Sequence, residues 1–310
     1  MNGFDANSLL QRCRTLAPAR TAIVHAVTAN VLAAAQEARE AGLIEPVLVG
    51  PAARTTEAAK AAGVDISAWP LIDAEHSHDA AEKAAALAAA QKVDALMKGS
   101  LHSDELMGAV VSSGAGLRTE RRISHAFLMD LESYPKAFII TDAAVNIAPD
   151  LAAKADIVQN AVELWRALFG TAALPKVAVL AAVETVNPKM AATLDAAALC
   201  KMADRGQITD CLIDGPLAFD NAISSEAART KGIVSPVAGS ADILLVPDIE
   251  AGNMLAKQLI FLSGADAAGI VLGARVPIIL TSRADSQRAR LLSCAVALLL
   301  AHARSQGVIK

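Results

Sequence analysis

Short aliphatic runs alternate with longer stretches of helical periodicity along almost the whole chain. The strand-like runs are TAIVHAV (21–27), PVLVG (46–50), VDALMKG (93–99), ISHAFLMDL (123–131), AFIITD (137–142), KVAVLAAV (176–183), DCLIDG (210–215), ADILLVP (241–247), AAGIVLG (267–273) and VPIILTS (276–282). Helical stretches such as NVLAAAQEAREAG (30–42) and LDAAALCKMADRG (194–206) lie between most of them. The second closes on Lys201, Arg205 and Gly206. This sets cations at the negative end of the dipole and a glycine for a left-handed cap. Strand–helix alternation of this kind predicts an α/β fold of two domains with largely parallel sheets. Such sheets gather ligands at the carboxyl ends of their strands. LESYPK (131–136) interrupts two strand runs and marks the expected domain break. The final helix, 286–304, is long and apolar, and is expected to return to the first half of the chain.

Composition narrows the picture. At 310 residues the chain has room for two domains. Apolar residues are 54% but aromatics only 3%, so the core is aliphatic and alanine-heavy, which favours helices packed on sheets over a β-sandwich. The formal net charge of −4 argues against a nucleic-acid partner, which needs a clustered basic face, while leaving room for a local cationic pocket. Cys13, Cys200, Cys211 and Cys294 show no CxxC spacing, which fits a reducing cytoplasm better than a disulfide framework or a zinc site. The N-terminus carries no apolar signal core, and the longest apolar run, LLSCAVALLLA (291–301), is too short to span a bilayer. The expected location is therefore cytoplasmic, with no membrane partner.

Polar clusters follow the strand runs repeatedly, and these carry the candidate chemistry. In LMKGSLHSDEL (96–106), Gly99 admits close approach of an anion, and Lys98, Ser100, His102 and Ser103 flank it. A serine can cap the next helix while its amide donors stay available. The plainer alternative is a strand–turn–helix joint with Ser103 as cap. GAGLRTERRISHAF (114–127) places Arg118, Arg121 and Arg122 within five positions on a glycine-containing loop. Guanidinium forks of that kind bind phosphate bidentately; the alternative is a solvated basic turn. His125 sits inside an apolar run and reads as a core histidine. In DGPLAFDNAIS (214–224), Asp214 ends a strand, Gly215-Pro216 turns the chain and Asp220 or Asn221 starts a helix, without a ligand set for a metal. PDIEAGNMLAKQL (247–259) repeats that logic, with Gly252 and Asn253 where the helix begins. TSRADS (281–286) offers Ser282 and Arg283 as anion donors, and Asp285 as either a helix cap or a base.

Taken together, these segments resemble the phosphate acetyl/butyryltransferase family, collinearly from about Lys98 to Ser286. GSLHSDEL resembles its glycine-x-x-His-Ser loop, and TDAAVNIAPD its Asp-x-Ala-Val segment followed by a proline. The run from Val237 to Leu259 is the most specific. MKGSLHSDEL and LTSRADS are closest in form to the butyryltransferase branch. The resemblance implies two α/β domains of the isocitrate/isopropylmalate-dehydrogenase type with an active site in the interdomain cleft. One domain would comprise 1–130 plus 274–310, and the other, inserted, 131–273.

It also implies the reversible reaction of a short-chain acyl-CoA, acetyl or butyryl, with phosphate to give acyl phosphate and CoA. No metal or redox cofactor is needed, and a homo-oligomer, dimer or higher, is expected. Ser282-Arg283 matches the family pair that binds phosphate and polarises the carbonyl. Where the acetyl branch has an acid a few residues into the next helix, this chain reads QRARLL, and Asp285 is the nearest carboxylate. Ser282, Arg283 and Asp285 are thus the expected catalytic residues. Lys98, Ser100, His102, Ser103, Arg118, Asp142 and Asn253 are expected to bind phosphate or CoA. Two alternatives stay open: a metal- and NAD-dependent dehydrogenase on the same broad fold, and a non-catalytic CoA-binding module.

Overall fold

The structure, a computed structural model, describes residues 6–280 and 285–309. It is a mixed α/β chain that divides into two compact units. One is built on Ala6–Arg121 with Ala268–Gly307, the other on Arg122–Ala267. The junctions thus lie at 121/122 and 267/268, where the sequence reading puts them at 130/131 and 273/274.

The discontinuous unit opens with α1 (Ala6–Cys13), β1 (Ala19–Val24), α2 (Ala29–Glu40), β2 (Ile44–Gly50), α3 (Ala52–Ala62), β3 (Leu71–Asp73), α4 (Ser77–Ala89), β4 (Ala95–Lys98) and α5 (Ser103–Val111). The other unit follows with β5 (Ser124–Asp130), β6 (Phe138–Thr141), α6 (Leu151–Phe169), β7 (Lys176–Leu180), α7 (Ala191–Asp204), β8 (Leu212–Leu217), α8 (Phe219–Ile223), α9 (Ser225–Thr230), β9 (Ile243–Leu245) and α10 (Ile249–Ser263). β10 (Asp266–Leu272), β11 (Ile278–Ile279) and α11 (Gln287–Ser305) complete the chain.

In the discontinuous unit the strand order is β3-β2-β1-β4-β11-β10. Every neighbouring pair is parallel except β11 with β10. Alanine makes the close helix packing possible. On α4, Ala80, Ala81, Ala84, Ala85 and Ala88 form the buried face, so the helix lies near the sheet without displacing long side chains. α11 is buried almost all round from Leu292 to Leu300 and packs on α1, α2, β1, β4 and β11. It is the long apolar terminal helix expected from sequence.

In the other unit the order is β5-β6-β9-β7-β8, parallel except for the antiparallel β5–β6 pair. That pair corrects the reading of LESYPK (131–136) as a domain break. The segment is the turn of a hairpin, with Tyr134 N–H donating to the Leu131 carbonyl at 3.1 Å and the Tyr134 ring packed edge-on against Phe138 at 5.4 Å. A tyrosine and a proline in six residues mark a turn equally well inside a domain. Phe138, Ile140, Leu244 and Val246 point from this sheet into a core closed by Ala256 and Leu259 of α10. β8 likewise runs through Gly215 and Pro216, which the sequence reads as a turn. Gly215 lies so close to Val179 that a Cβ would sit 2.7 Å from its carbonyl oxygen.

Candidate active site

Three adjacent parallel strands of the discontinuous unit, β1, β4 and β11, finish at one edge. Val24 is level with Lys98, and Ile279 with Met97. The chain leaves β11 at this edge toward Ser282 and Arg283, which lie outside the described residues together with Thr281 and Ala284.

The link between the ends of β1 and β4 is unusually tight. Gly99 N–H donates to the Val24 carbonyl at 3.0 Å, and Ser100 N–H to the His25 carbonyl at 3.0 Å. A Cβ on Gly99 would fall 2.3 Å from the Val24 oxygen, so only glycine fits. His25 takes a left-handed backbone, φ +57°, which costs a non-glycine residue about 1 kcal/mol or more. Its ring Nδ1 lies 2.6 Å from the Ser100 carbonyl oxygen, and the Thr28 and Ser100 hydroxyls are 2.7 Å apart. Lys98, Ser100, His102 and Ser103 are therefore brought to one short segment, with Lys98 and Ser100 half-buried and His102 exposed.

The helix that follows is capped differently from the sequence expectation. His102, not Ser103, is the N-cap of α5, with extended φ and ψ of −72° and 147°, and its side chain makes no capping hydrogen bond. Ser103 is the first helical residue. Glu105 hydrogen-bonds Ser77, which with His78 and His102 nearby holds its carboxyl below the usual range. At the start of α11 the cap is Ser286, whose hydroxyl accepts from Ala289 N–H at 3.1 Å. Asp285 precedes the cap, so the capping reading of Asp285 is overturned. Its carbonyl accepts from Arg290 Nη1 at 2.7 Å.

Asp142 and Asn253 belong to the other unit. Asp142 is 2% exposed. Its Oδ1 accepts from the amides of Ala144 and Val145 at 2.9 and 3.0 Å, and its Oδ2 from the amide and side chain of Asn146 at 3.2 and 2.6 Å. Arg122 Nε in turn donates to Asn146 Oδ1 at 2.7 Å. This carboxylate organises the loop after β6. Asn253 Nδ2 donates to the Ala143 carbonyl at 3.1 Å, and the N-cap of α10 is Asp248. Gly252 is thus inside the helix rather than at its start, and a Cβ there would meet the Asp142 carbonyl oxygen at 2.7 Å. His125 is fully buried beside Asp142, and burial pushes its pKa down to about 4. It is the core histidine expected from sequence.

Arg118 is exposed, with its backbone bridged to Ala274. All four thiols are free, and burial raises Cys13 and Cys200 to about 11 and Cys211 and Cys294 to about 12. Among the described residues no three His, Cys, Asp or Glu side chains group as a metal site, and no helix is long and apolar enough to cross a membrane. His25 and Thr28 were missed in the sequence because TAIVHAV reads as one apolar strand. The available signal was a histidine at the carboxyl end of that run, followed by Thr and Asn.

Comparison with known proteins converges. A family profile described as phosphate acetyl/butaryl transferase matches residues 74–298. A phosphate acetyltransferase of Rhizobium meliloti is 58% identical over 297 residues, covering 96% of this chain and 93% of that protein. A phosphate butyryltransferase of Clostridium acetobutylicum is 38% identical over 295 residues, covering 95% and 97%. Among solved structures, a branched-chain phosphotransacylase from Enterococcus faecalis superposes with a TM-score of 0.79 at 29% identity, covering 91% of this chain and 99% of that one. A phosphotransacetylase from Streptococcus pyogenes gives 0.81 at 22% identity, covering 96% and 99%, a likeness of fold.

Proposed function

The chain belongs to the phosphate acetyl/butyryltransferase family and is an acyltransferase, and from that premise we propose that it exchanges a short acyl group reversibly between coenzyme A and phosphate. The observation that carries this reading is the 58% identity to a phosphate acetyltransferase across 96% of the chain. The 38% identity to a phosphate butyryltransferase supports the same chemistry, and the higher identity to the acetyltransferase favours acetyl as the acyl group. The butyryl-like form of MKGSLHSDEL and LTSRADS is local, whereas the identities span the chain.

The reaction joins two substrates in a direct transfer. A phosphate oxygen attacks the thioester carbonyl, the C–S bond breaks, and CoA leaves as a thiolate that takes a proton. Holding both partners in one geometry supplies roughly 7–11 kcal/mol of the barrier. A thiol with pKa near 8.5 is about 1.5 units from ionised at neutral pH, a cost of roughly 2 kcal/mol, so one base suffices and no metal or redox cofactor is required. The curated relatives are named as acyltransferases, which does not favour a dehydrogenase reading.

In this reading Arg283 grips phosphate and Ser282 polarises the carbonyl. Asp285 is the carboxylate nearest to them in sequence. Lys98, Ser100, His102, Ser103 and the uncapped amides of α5 contact phosphate groups of the substrates, an arrangement suited to anions at a helix N-terminus. Arg118 contributes charge from its exposed loop. Asp142 and Asn253 act by shaping the loop after β6. The enzyme works in the cytoplasm as a homo-oligomer. Phosphate-dependent CoA release from a panel of C2–C6 acyl-CoAs tests the reading. Turnover highest with acetyl-CoA is expected, and no phosphate-dependent turnover on any of them overturns it.

A further inference from the structure

We propose that His25 is the acid–base residue of this transfer, with Nδ1 anchored and Nε2 presented to the CoA thiol. The inference rests on the acyltransferase reading and assigns the proton to this imidazole rather than to Asp285.

The geometry fixes the ring. A carbonyl oxygen only accepts, so the 2.6 Å contact with the Ser100 carbonyl requires the proton on Nδ1. The neutral ring then carries its lone pair on Nε2, which has no hydrogen-bond partner among the described residues. This is the arrangement of a general base whose second nitrogen is held by a backbone acceptor. The position is also maintained at a cost. His25 is 7% exposed and holds φ at +57°, where Asn or Gly would be at ease. Its amide donates to the Val49 carbonyl at 2.7 Å and its carbonyl receives Ser100 N–H, so β1, β2 and the loop after β4 all hold it. A backbone fixed in this way at the carboxyl end of the central strands places the ring at the edge shared by Lys98 and the end of β11.

The step balances in the direction of acyl-CoA formation. Nε2 takes the S–H proton as the sulfur attacks the acyl carbon. The C–S bond forms and the C–O bond to phosphorus breaks, with the electron pair leaving on the phosphate oxygen. The imidazolium then returns its proton to that oxygen, giving hydrogen phosphate and a neutral ring.

Acetyl phosphate and CoA are the probes. His25→Asn keeps a donor for the Ser100 carbonyl and tolerates the left-handed backbone, but removes the Nε2 acceptor. It should melt with the wild type and lose about 10²–10⁴ in kcat, with KM for both substrates within about threefold. His25→Gly, also at ease at this φ, should lose as much and recover with added imidazole. If Asp285→Asn carries that loss and His25→Asn does not, the proton belongs to Asp285. If His25→Asn keeps near-wild-type kcat, or His25→Gly is inactive and imidazole does not restore it, His25 is not the base. Wild-type protein without turnover refutes the acyltransferase reading itself, a separate outcome.

Discussion

Gly99→Ala sets the account of the site's architecture its hardest test. The added Cβ would lie 2.3 Å from the Val24 carbonyl oxygen and 2.9 Å from that of His25, and both obstacles are backbone atoms that no rotamer change can clear. Overpacking costs typically 1–3 kcal/mol, and a rigid obstacle puts this case at the upper end. The shift also strains the Gly99–Val24 and Ser100–His25 hydrogen bonds, each worth about 1 kcal/mol. A loss of about 3–5 kcal/mol lowers Tm by roughly 6–20 °C for a unit of this size. Activity falls further than stability accounts for, because a displacement near 1 Å can cost about 10²-fold in rate. Gly108→Ala is the control. It lies inside α5 with no atom within 4 Å of the new Cβ, and should stabilise by about 0.5–1 kcal/mol. Thermal melts and initial rates on both variants decide the matter. Gly99→Ala with wild-type Tm and kcat would refute the tight-link argument.

Further consequences can be measured separately. Lys154 is 5% exposed and its ammonium lies 2.6 Å from Asp195, so Asp195→Ala should cost about 3 kcal/mol in urea unfolding, and adding Lys154→Met should restore most of it. A cost below about 1 kcal/mol would show that the pair is not holding the ammonium. The His125 pKa is lowered by burial, so the unfolded chain binds the extra proton first as pH falls. Its contribution is present above about pH 6.5 and is lost on the way down to about 4, up to roughly 3 kcal/mol. His125→Gln should flatten stability against pH in that window, and an unchanged slope would assign it to other groups. With thiol pKa values of about 11–12, fewer than about one cysteine in a thousand is ionised at pH 7.5. Iodoacetamide at that pH should leave activity intact, and rapid inactivation would contradict the burial of the thiols.

Most strands were legible because their apolar runs are long and bounded by turn residues. β3 was not: Leu71–Asp73 is three residues long and none of it is fully buried, so it leaves no run to read. Helix α7 and its stop were legible to the glycine, with Gly206 at φ +72°. Caps were harder, because His102 and Ser286 take the cap through backbone geometry that neighbouring Ser103 and Asp285 could equally well have adopted. Asp142 shows the limit for sites. Its position after a strand reads as ligand binding, yet its oxygens are taken up by Ala144, Val145 and Asn146, donors whose convergence exists only in the folded loop. His25 was hidden for the opposite reason: the pattern around it is apolar, and the approach of Ser100, 75 positions away, is what gives the ring a role.

The most direct test of the central claim is the conversion of acetyl phosphate and CoA to acetyl-CoA by the purified chain, with butyryl phosphate in parallel. Turnover on the scale of ordinary enzymes, about 1–10³ s⁻¹, is expected, faster with acetyl than with butyryl and abolished by Arg283→Ala in a folded variant. Consumption of neither acyl phosphate would contradict it.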